Sequence, residues 1–209
     1  PVCRNHGVEQ TILAGRGQVE IHVSGSESEV EGAVSALRET FGPAVISTEG
    51  EALEAAVVRL ARERGGTIAT AESCTGGRIA ARLTSVPGAS SVFLAGLVTY
   101  ADQAKRDQLE VDGDLLATHG AVSEPVVRAM LGGLQRRTGC EWGVAVSGIA
   151  GPTGGTPEKP VGTVWIAAGN DRHVVARRTV LPGSRERVQE IATGIALDRL
   201  RRAVVGSAA

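Results

Sequence analysis

Between residues 67 and 180, short apolar runs alternate with stretches of helical period. The last two runs are separated by only four residues, Gly169-Asn170-Asp171-Arg172. A link that short joins antiparallel strands, whereas a parallel pair needs a crossover of a dozen residues or more. The chain is thereby committed to a sheet of mixed direction. The runs fall at residues 67–71, 92–100, 142–147, 163–168 and 173–180. Run 92–100 is almost uninterrupted and is expected to be buried on both faces.

Helical patterns fill the gaps. Residues 75–83 form one. Ser123-Glu124-Pro125 opens another, with a capping Ser, an acid at the positive dipole end and Pro in the first turn. Val127, Met130, Leu131 and Leu134 are its inward face, and Gly139 closes it. A last helix begins near Ser184 and buries Val188, Ile191, Ala192 and Ile195. Ahead of the first run, Thr48 and Glu51 have capping-box spacing. Leu53, Ala56, Val57, Leu60 and Ala61 follow at i, i+3, i+4, i+7 and i+8, and Gly65-Gly66 ends that helix. The pattern predicts a three-layer α/β/α sandwich around a mixed, mostly parallel sheet over residues 48–205, with 206–209 as a tail.

Residues 1–47 read differently. The first ten show no periodicity, residues 18–24 alternate as one half-buried strand, and residues 26–41 carry Val30, Ala33, Val34 and Leu37 on one helical face. One strand and one helix cannot enclose a core, so this stretch is expected to be an appendage or part of a truncated domain. Pro1 in place of a methionine suggests a fragment or a processed form.

Composition removes several functions. Of 209 residues, 42% are hydrophobic and 22% charged, a globular balance rather than a disordered one. The net charge of −1 and the 2% aromatic content argue against a nucleic-acid binder, which needs bulk positive charge or stacking platforms. No apolar run reaches the ~18 residues of a membrane span. Cys3, Cys74 and Cys140 form no CxxC and fit a reducing cytoplasm. The four scattered histidines give no metal spacing, so no metal is expected.

Three loops leave strand ends with unusual chemistry. The first is Glu72-Ser73-Cys74-Thr75-Gly76-Gly77. A strand entering a polar, glycine-opened turn can present a serine hydroxyl beside free backbone N–H groups, although G-x-S-x-G is absent. Ser73 is therefore either a helix cap or a nucleophile. Cys74 is either a buried thiol or a rival nucleophile; because neighbours on a helical turn diverge by ~100°, the two are not expected to face one pocket.

The second loop carries Tyr100 and Lys105. A free lysine, titrating near ~10.4, keeps its proton at neutral pH, but burial can lower that value enough for the amine to act as base to a serine. Lys105 is either such a base or a solvated helix lysine. The third loop, residues 147–162, contains Ser147, Gly148, Gly151, Gly154 and Gly155. It is longer than a connection requires and can cradle a ligand through backbone N–H groups, although it is no P-loop. Arg185, at the start of the last helix, is positioned for a phosphate or is a plain surface arginine.

At these loops the chain resembles the CinA family, in its C-terminal domain. The matching stretches are TAESCTGG (70–77), GLVTYADQAK (96–105), HGAVSEPVV (119–127), SGIAGPTGG (147–155), KPVGTVW (159–165) and LPGSRERV (181–188). That domain also occurs alone as the bacterial nicotinamide mononucleotide deamidase. The resemblance implies a cofactor-free amidohydrolase acting on a pyridine nucleotide, with Ser73 as nucleophile, Lys105 as base and Tyr100 assisting. It also implies a homodimer. Cys74, Thr75, Gly76, Gly77, Ser147, Gly148, Gly151, Gly154, Gly155 and Arg185 match positions expected to line the nucleotide pocket. Residues 1–47 resemble the tail of the middle domain of longer CinA proteins, whose N-terminal pyrophosphatase-linked domain has no counterpart here. The competing reading is a non-catalytic nucleotide- or protein-binding module of a competence- or damage-inducible protein.

Overall fold

The computed structural model describes residues 6–15 and 18–206, and the chain divides into two compact units at Ala52/Leu53. The first ten residues and the tail at 206–209 thus lie partly outside the described residues.

In the first unit, β1 (Glu9–Gly15) and β2 (Gln18–Ser24) pair antiparallel, and α1 (Glu27–Phe41) follows. The strand at 18–24 and the helix after Ser26 agree with their sequence patterns. β1 does not: EQTILAG is exposed at every position, so no alternation marks it. Glu29 reaches back to the Ser26 amide at 2.8 Å, closing the first turn of α1.

The second unit is built on five strands in the order β4-β3-β5-β6-β7: β3 (Ile68–Glu72), β4 (Phe93–Val98), β5 (Trp142–Gly148), β6 (Thr163–Gly169) and β7 (Val174–Val180). β4, β3 and β5 run parallel, and β6 lies antiparallel to both its neighbours. Four strands therefore point one way and one the other, the mixed sheet that the four-residue link required.

Helices cover both faces. α2 (Leu53–Glu63), α3 (Arg78–Thr84) and α7 (Arg185–Val205) lie on one face, burying Val57, Ile79, Leu83, Val188, Ala192 and Leu197. On the other, α6 (Glu124–Thr138) packs Val126, Val127, Met130, Leu131 and Leu134 onto the sheet beside α4 (Asp102–Leu109) and α5 (Gly113–His119). Each of those large side chains contributes ~1.5–3 kcal/mol by leaving water.

Four sequence expectations need correction. The run at 92–100 is not buried on both faces: β4 is an edge strand of alternating burial, with Leu94 47% and Val98 44% exposed. An apolar run fixes strand character, not rank within the sheet. Thr48 and Glu51 form no capping box; Thr48 accepts from Arg38 (2.7 Å), Glu51 donates its amide to Ser47 Oγ, and α2 starts at Leu53. α3 starts at Arg78 rather than Thr75, because Gly76 and Gly77 sit at φ +60° and +91°, outside the right-handed helix. Finally, Ser123 spends its hydroxyl on the Gly120 carbonyl (2.8 Å) instead of capping α6.

Candidate functional site

Because β3, β4 and β5 are parallel, the segments after them emerge at one end of the sheet. The chain leaving β7 for α7 reaches that same end. There a pocket of about 170 Å³ is lined by Ser73, Cys74, Tyr100, Asp102, Lys105, Ala121, Val122, Ser147, Gly148, Ala150 and Arg185. Crevices at strand carboxyl ends are where open α/β sheets hold ligands. The volume falls below the ~300–1,000 Å³ of sites that engulf a drug-sized molecule, so it suits the reacting part of a substrate.

The turn carrying Ser73 is held from beneath. Glu72, fully buried, accepts from the amides of Gly77 (3.0 Å), Ile79 (3.1 Å) and Ala80 (2.8 Å), so its carboxylate occupies the positive end of α3. Gln189 on α7 donates to the Cys74 carbonyl at 2.6 Å. Ser73 itself is 7% exposed, with its amide tied to the Val146 carbonyl. The Gly76 amide bonds the Ser73 carbonyl, and Gly77 is spoken for by Glu72. Within 74–77, only the Cys74 and Thr75 amides lack a carbonyl or carboxylate acceptor among the described residues, which narrows the oxyanion donors to those two.

Lys105 is 1% exposed, yet its Nζ reaches the pocket wall, donating to the Tyr100 carbonyl (3.2 Å) and to Asp102 Oδ1 (3.2 Å). Lysine is almost never buried so deeply unless paired. The Tyr100 hydroxyl has a different partner: 57% exposed, the side chain accepts from Arg185 Nη2 at 2.6 Å, while Arg185 Nη1 holds the Gly151 carbonyl at 2.9 Å. Among the described residues no hydrogen bond joins Ser73 Oγ to Lys105 Nζ or to the Tyr100 hydroxyl. Ser147 donates to the Ala121 carbonyl (2.7 Å), pinning the 121–122 wall.

Ser73 and Cys74 do share the pocket, contrary to the divergence expected of helical neighbours, because residues 73–77 are a turn and not helix. The Cys74 thiol is pushed up to about 12 by burial, opposed by its own amide N–H and, less, by Arg185 and Lys105, while the Glu72 carboxylate adds to the rise, so it stays protonated and poorly nucleophilic at neutral pH. It packs at Gly148, where an added Cβ would sit 2.9 Å from Sγ.

Ser73, Cys74, Tyr100, Lys105, Ser147, Gly148 and Arg185 are thus brought together. Gly151 stands one step back, as a carbonyl for Arg185. Thr75 is buried with its hydroxyl unpartnered, Gly76 and Gly77 shape the turn, and Gly154 and Gly155 lie outside the pocket lining. Sequence reasoning passed over Asp102, Glu72, Gln189 and the 121–122 wall; Asp102 stood three residues before Lys105, a helical pair spacing that could have flagged it. Among the described residues no group of three or more His, Cys, Asp or Glu is placed to hold a metal ion.

Fold and site define an α/β sandwich with a serine and a buried lysine in one pocket at the strand ends. Comparison with known proteins gives this class a family: the model of the CinA C-terminal domain matches residues 50–204, and the chain belongs to the CinA family. A CinA-like protein of Gemmatimonas aurantiaca is 41% identical over 205 residues, covering 95% of this chain and 48% of its own. One from Akkermansia muciniphila is 52% identical over 161 residues, covering 77% and 39%. The chain thus spans less than half the length of these curated relatives. The crystal structure of the competence damage-inducible protein A of Klebsiella pneumoniae superposes with a TM-score of 0.71 at 39% identity, over 73% of this chain and 95% of that one. No helix among the described residues is long and apolar enough to cross a membrane.

Proposed function

We propose that the second unit is an amidohydrolase that converts nicotinamide mononucleotide to nicotinate mononucleotide and ammonia. The observation that carries this reading is a deeply buried amine, Lys105, lining the same small pocket as the Ser73 hydroxyl, with the Arg185 guanidinium alongside. Buried ionisable groups in clefts mark functional sites.

The pocket takes the ring carboxamide, and the ribose phosphate lies toward Arg185, whose planar fork suits a phosphate. The neutral Lys105 amine takes the Ser73 proton as Oγ bonds the carboxamide carbon. That transfer runs directly or through the Tyr100 hydroxyl, which Arg185 steadies as donor. The oxyanion faces the Cys74 and Thr75 amides, each such donor being worth ~3 kcal/mol. As the C–N bond breaks, the Lys105 ammonium returns its proton to the departing nitrogen, which leaves as ammonia. Water, deprotonated by the same amine, then cleaves the nicotinoyl-serine ester and restores Ser73. The raised Cys74 thiol supports serine over cysteine as nucleophile.

The test is ammonia release from nicotinamide mononucleotide by the full chain and by Ser73→Ala. Wild type is expected to turn over, and the variant to fall by about a thousandfold or more. A Ser73→Ala rate equal to wild type refutes the reading. The unbonded Ser73–Lys105 pair favours a second reading, a nucleotide-binding module without turnover. Nucleotide binding with no ammonia from wild type would establish that one.

A further inference from the structure

The pocket holds one carboxylate among its cations. Asp102, in the first turn of α4, places Oδ1 3.2 Å from Lys105 Nζ, and the two ends of this ion pair differ sharply: the lysine side chain is 1% exposed and the aspartate 60%. An acid in the first helical turn is ordinarily a partner of the helix dipole. Here it also lines the pocket, so it is open to a ligand as well as to the lysine.

The other charged and titratable groups around Lys105 are few. Tyr100 precedes it, Cys74 and the buried Glu72 stand at the end of β3, and Arg185 stands at the start of α7. The buried face of α6, which packs beside α4, carries Val126, Val127, Met130, Leu131, Gly133 and Leu134, none of them titratable. Asp102 is therefore the negative charge open to the pocket, set against Lys105 and Arg185.

Resting on the hydrolytic reading above, we propose that Asp102 is a specificity-determining residue that selects a cationic pyridinium ring over its uncharged form. Asp102 is the carboxylate partner of the Lys105 ammonium. A ring bearing positive nitrogen enters as the second partner of that carboxylate and repels the ammonium, whose proton passes to solvent and leaves the amine free to act as base. A neutral ring gains no such partner and leaves the Lys105–Asp102 pair intact. Arg185 and Asp102 thus suit a zwitterionic ligand, anionic at its phosphate and cationic at its ring.

The test measures equilibrium binding to Ser73→Ala, which cannot turn the ligand over, of nicotinamide mononucleotide and of its reduced, uncharged dihydropyridine form. Calorimetry in buffers of different ionisation enthalpy counts the protons released. The oxidised form is expected to bind about tenfold more tightly or better and to release a proton, as a desolvated charge pair implies. Adding Asp102→Asn should bring the two forms within about threefold and abolish the release, while Asp102→Glu should retain the preference. A preference that survives Asp102→Asn, equal or absent binding of both forms to Ser73→Ala, or a parallel loss for both forms on Asp102→Asn overturns the assignment. If wild type releases no ammonia but the charge preference and its Asp102 dependence hold, the hydrolytic reading fails and Asp102 stands as the cation's partner.

Discussion

Replacing Glu72 tests whether the serine turn is held by a buried carboxylate. Three backbone N–H groups depend on it: Oε2 accepts from Gly77 (3.0 Å) and Ile79 (3.1 Å), and Oε1 from Ala80 (2.8 Å). Glu72→Ala orphans all three. At ~1–3 kcal/mol for each buried donor left unmade, and with two of the three only partly buried, the loss comes to about 4 kcal/mol. Glu72→Gln is the informative intermediate. Its amide oxygen can replace Oε2 and keep two bonds, while its NH₂ faces the Ala80 amide and the charge at the helix end is gone, a loss of about 2 kcal/mol. Thermal unfolding of a domain this size shifts ~2–4 °C per kcal/mol, so the expected falls are about 8–16 °C for Ala and 4–8 °C for Gln. Circular dichroism melts and urea midpoints of the two variants and wild type provide the measurement. Glu72→Ala within about 1 kcal/mol of wild type, or Gln no better than Ala, would refute the reasoning.

Two further outcomes follow from contacts on either side of the sheet. With its thiol moved from 9.0 to about 12, Cys74 should hold about a thousandfold less thiolate near pH 8 than a free cysteine. Alkylation by iodoacetamide, read by mass spectrometry, should stay slow in the folded protein and accelerate as pH climbs toward 12; rapid labelling at pH 8 counts against a buried, protonated thiol. The adjacent glycines of α6 should answer alanine with opposite signs. Gly132→Ala meets only the end of Arg136 at 3.4 Å and should stabilise by ~0.5–1 kcal/mol. Gly133→Ala would put Cβ 1.8 Å from the Leu109 carbonyl oxygen and should cost about 3 kcal/mol, both read from urea midpoints.

Much of this architecture is legible from periodicity, because residues 142–180 alternate strand and turn on local signals alone: the Gly169–Arg172 link forces β6 and β7 antiparallel whatever surrounds them. Where the structure departs from the sequence pattern, the deciding force is not local. β4 has the apolar content of a central strand but lies at the edge, since strand order is set by packing of distant elements. α5 was missed because seven residues carry too little period, although Asp112 accepts from the Asp114 and Leu115 amides as a helix cap should. In the pocket, loop composition singles out Ser73, Tyr100, Lys105 and Arg185 and family resemblance gives them roles, but their spacing in sequence says nothing of who bonds whom. The Tyr100 hydroxyl meets Arg185, 85 positions on, and Lys105 takes the Tyr100 carbonyl instead. Glu72 escaped notice because, in sequence, a carboxylate closing a strand looks like a solvent-facing end rather than a buried cap.

Parallel strands impose a polarity on the molecule that reaches beyond chemistry. The segments carrying Ser73, Lys105, Ser147 and Arg185 meet the sheet at one rim, whereas the turns at 65–67, 139–141 and 170–172 sit at the other, five to seven residues of strand away, some ~17–23 Å. Dyes, affinity handles or inserted peptides are best grafted at 170–172, where Asp171 and Arg172 face solvent. A molecule tethered there would keep the rim that bears the pocket turned away from the support.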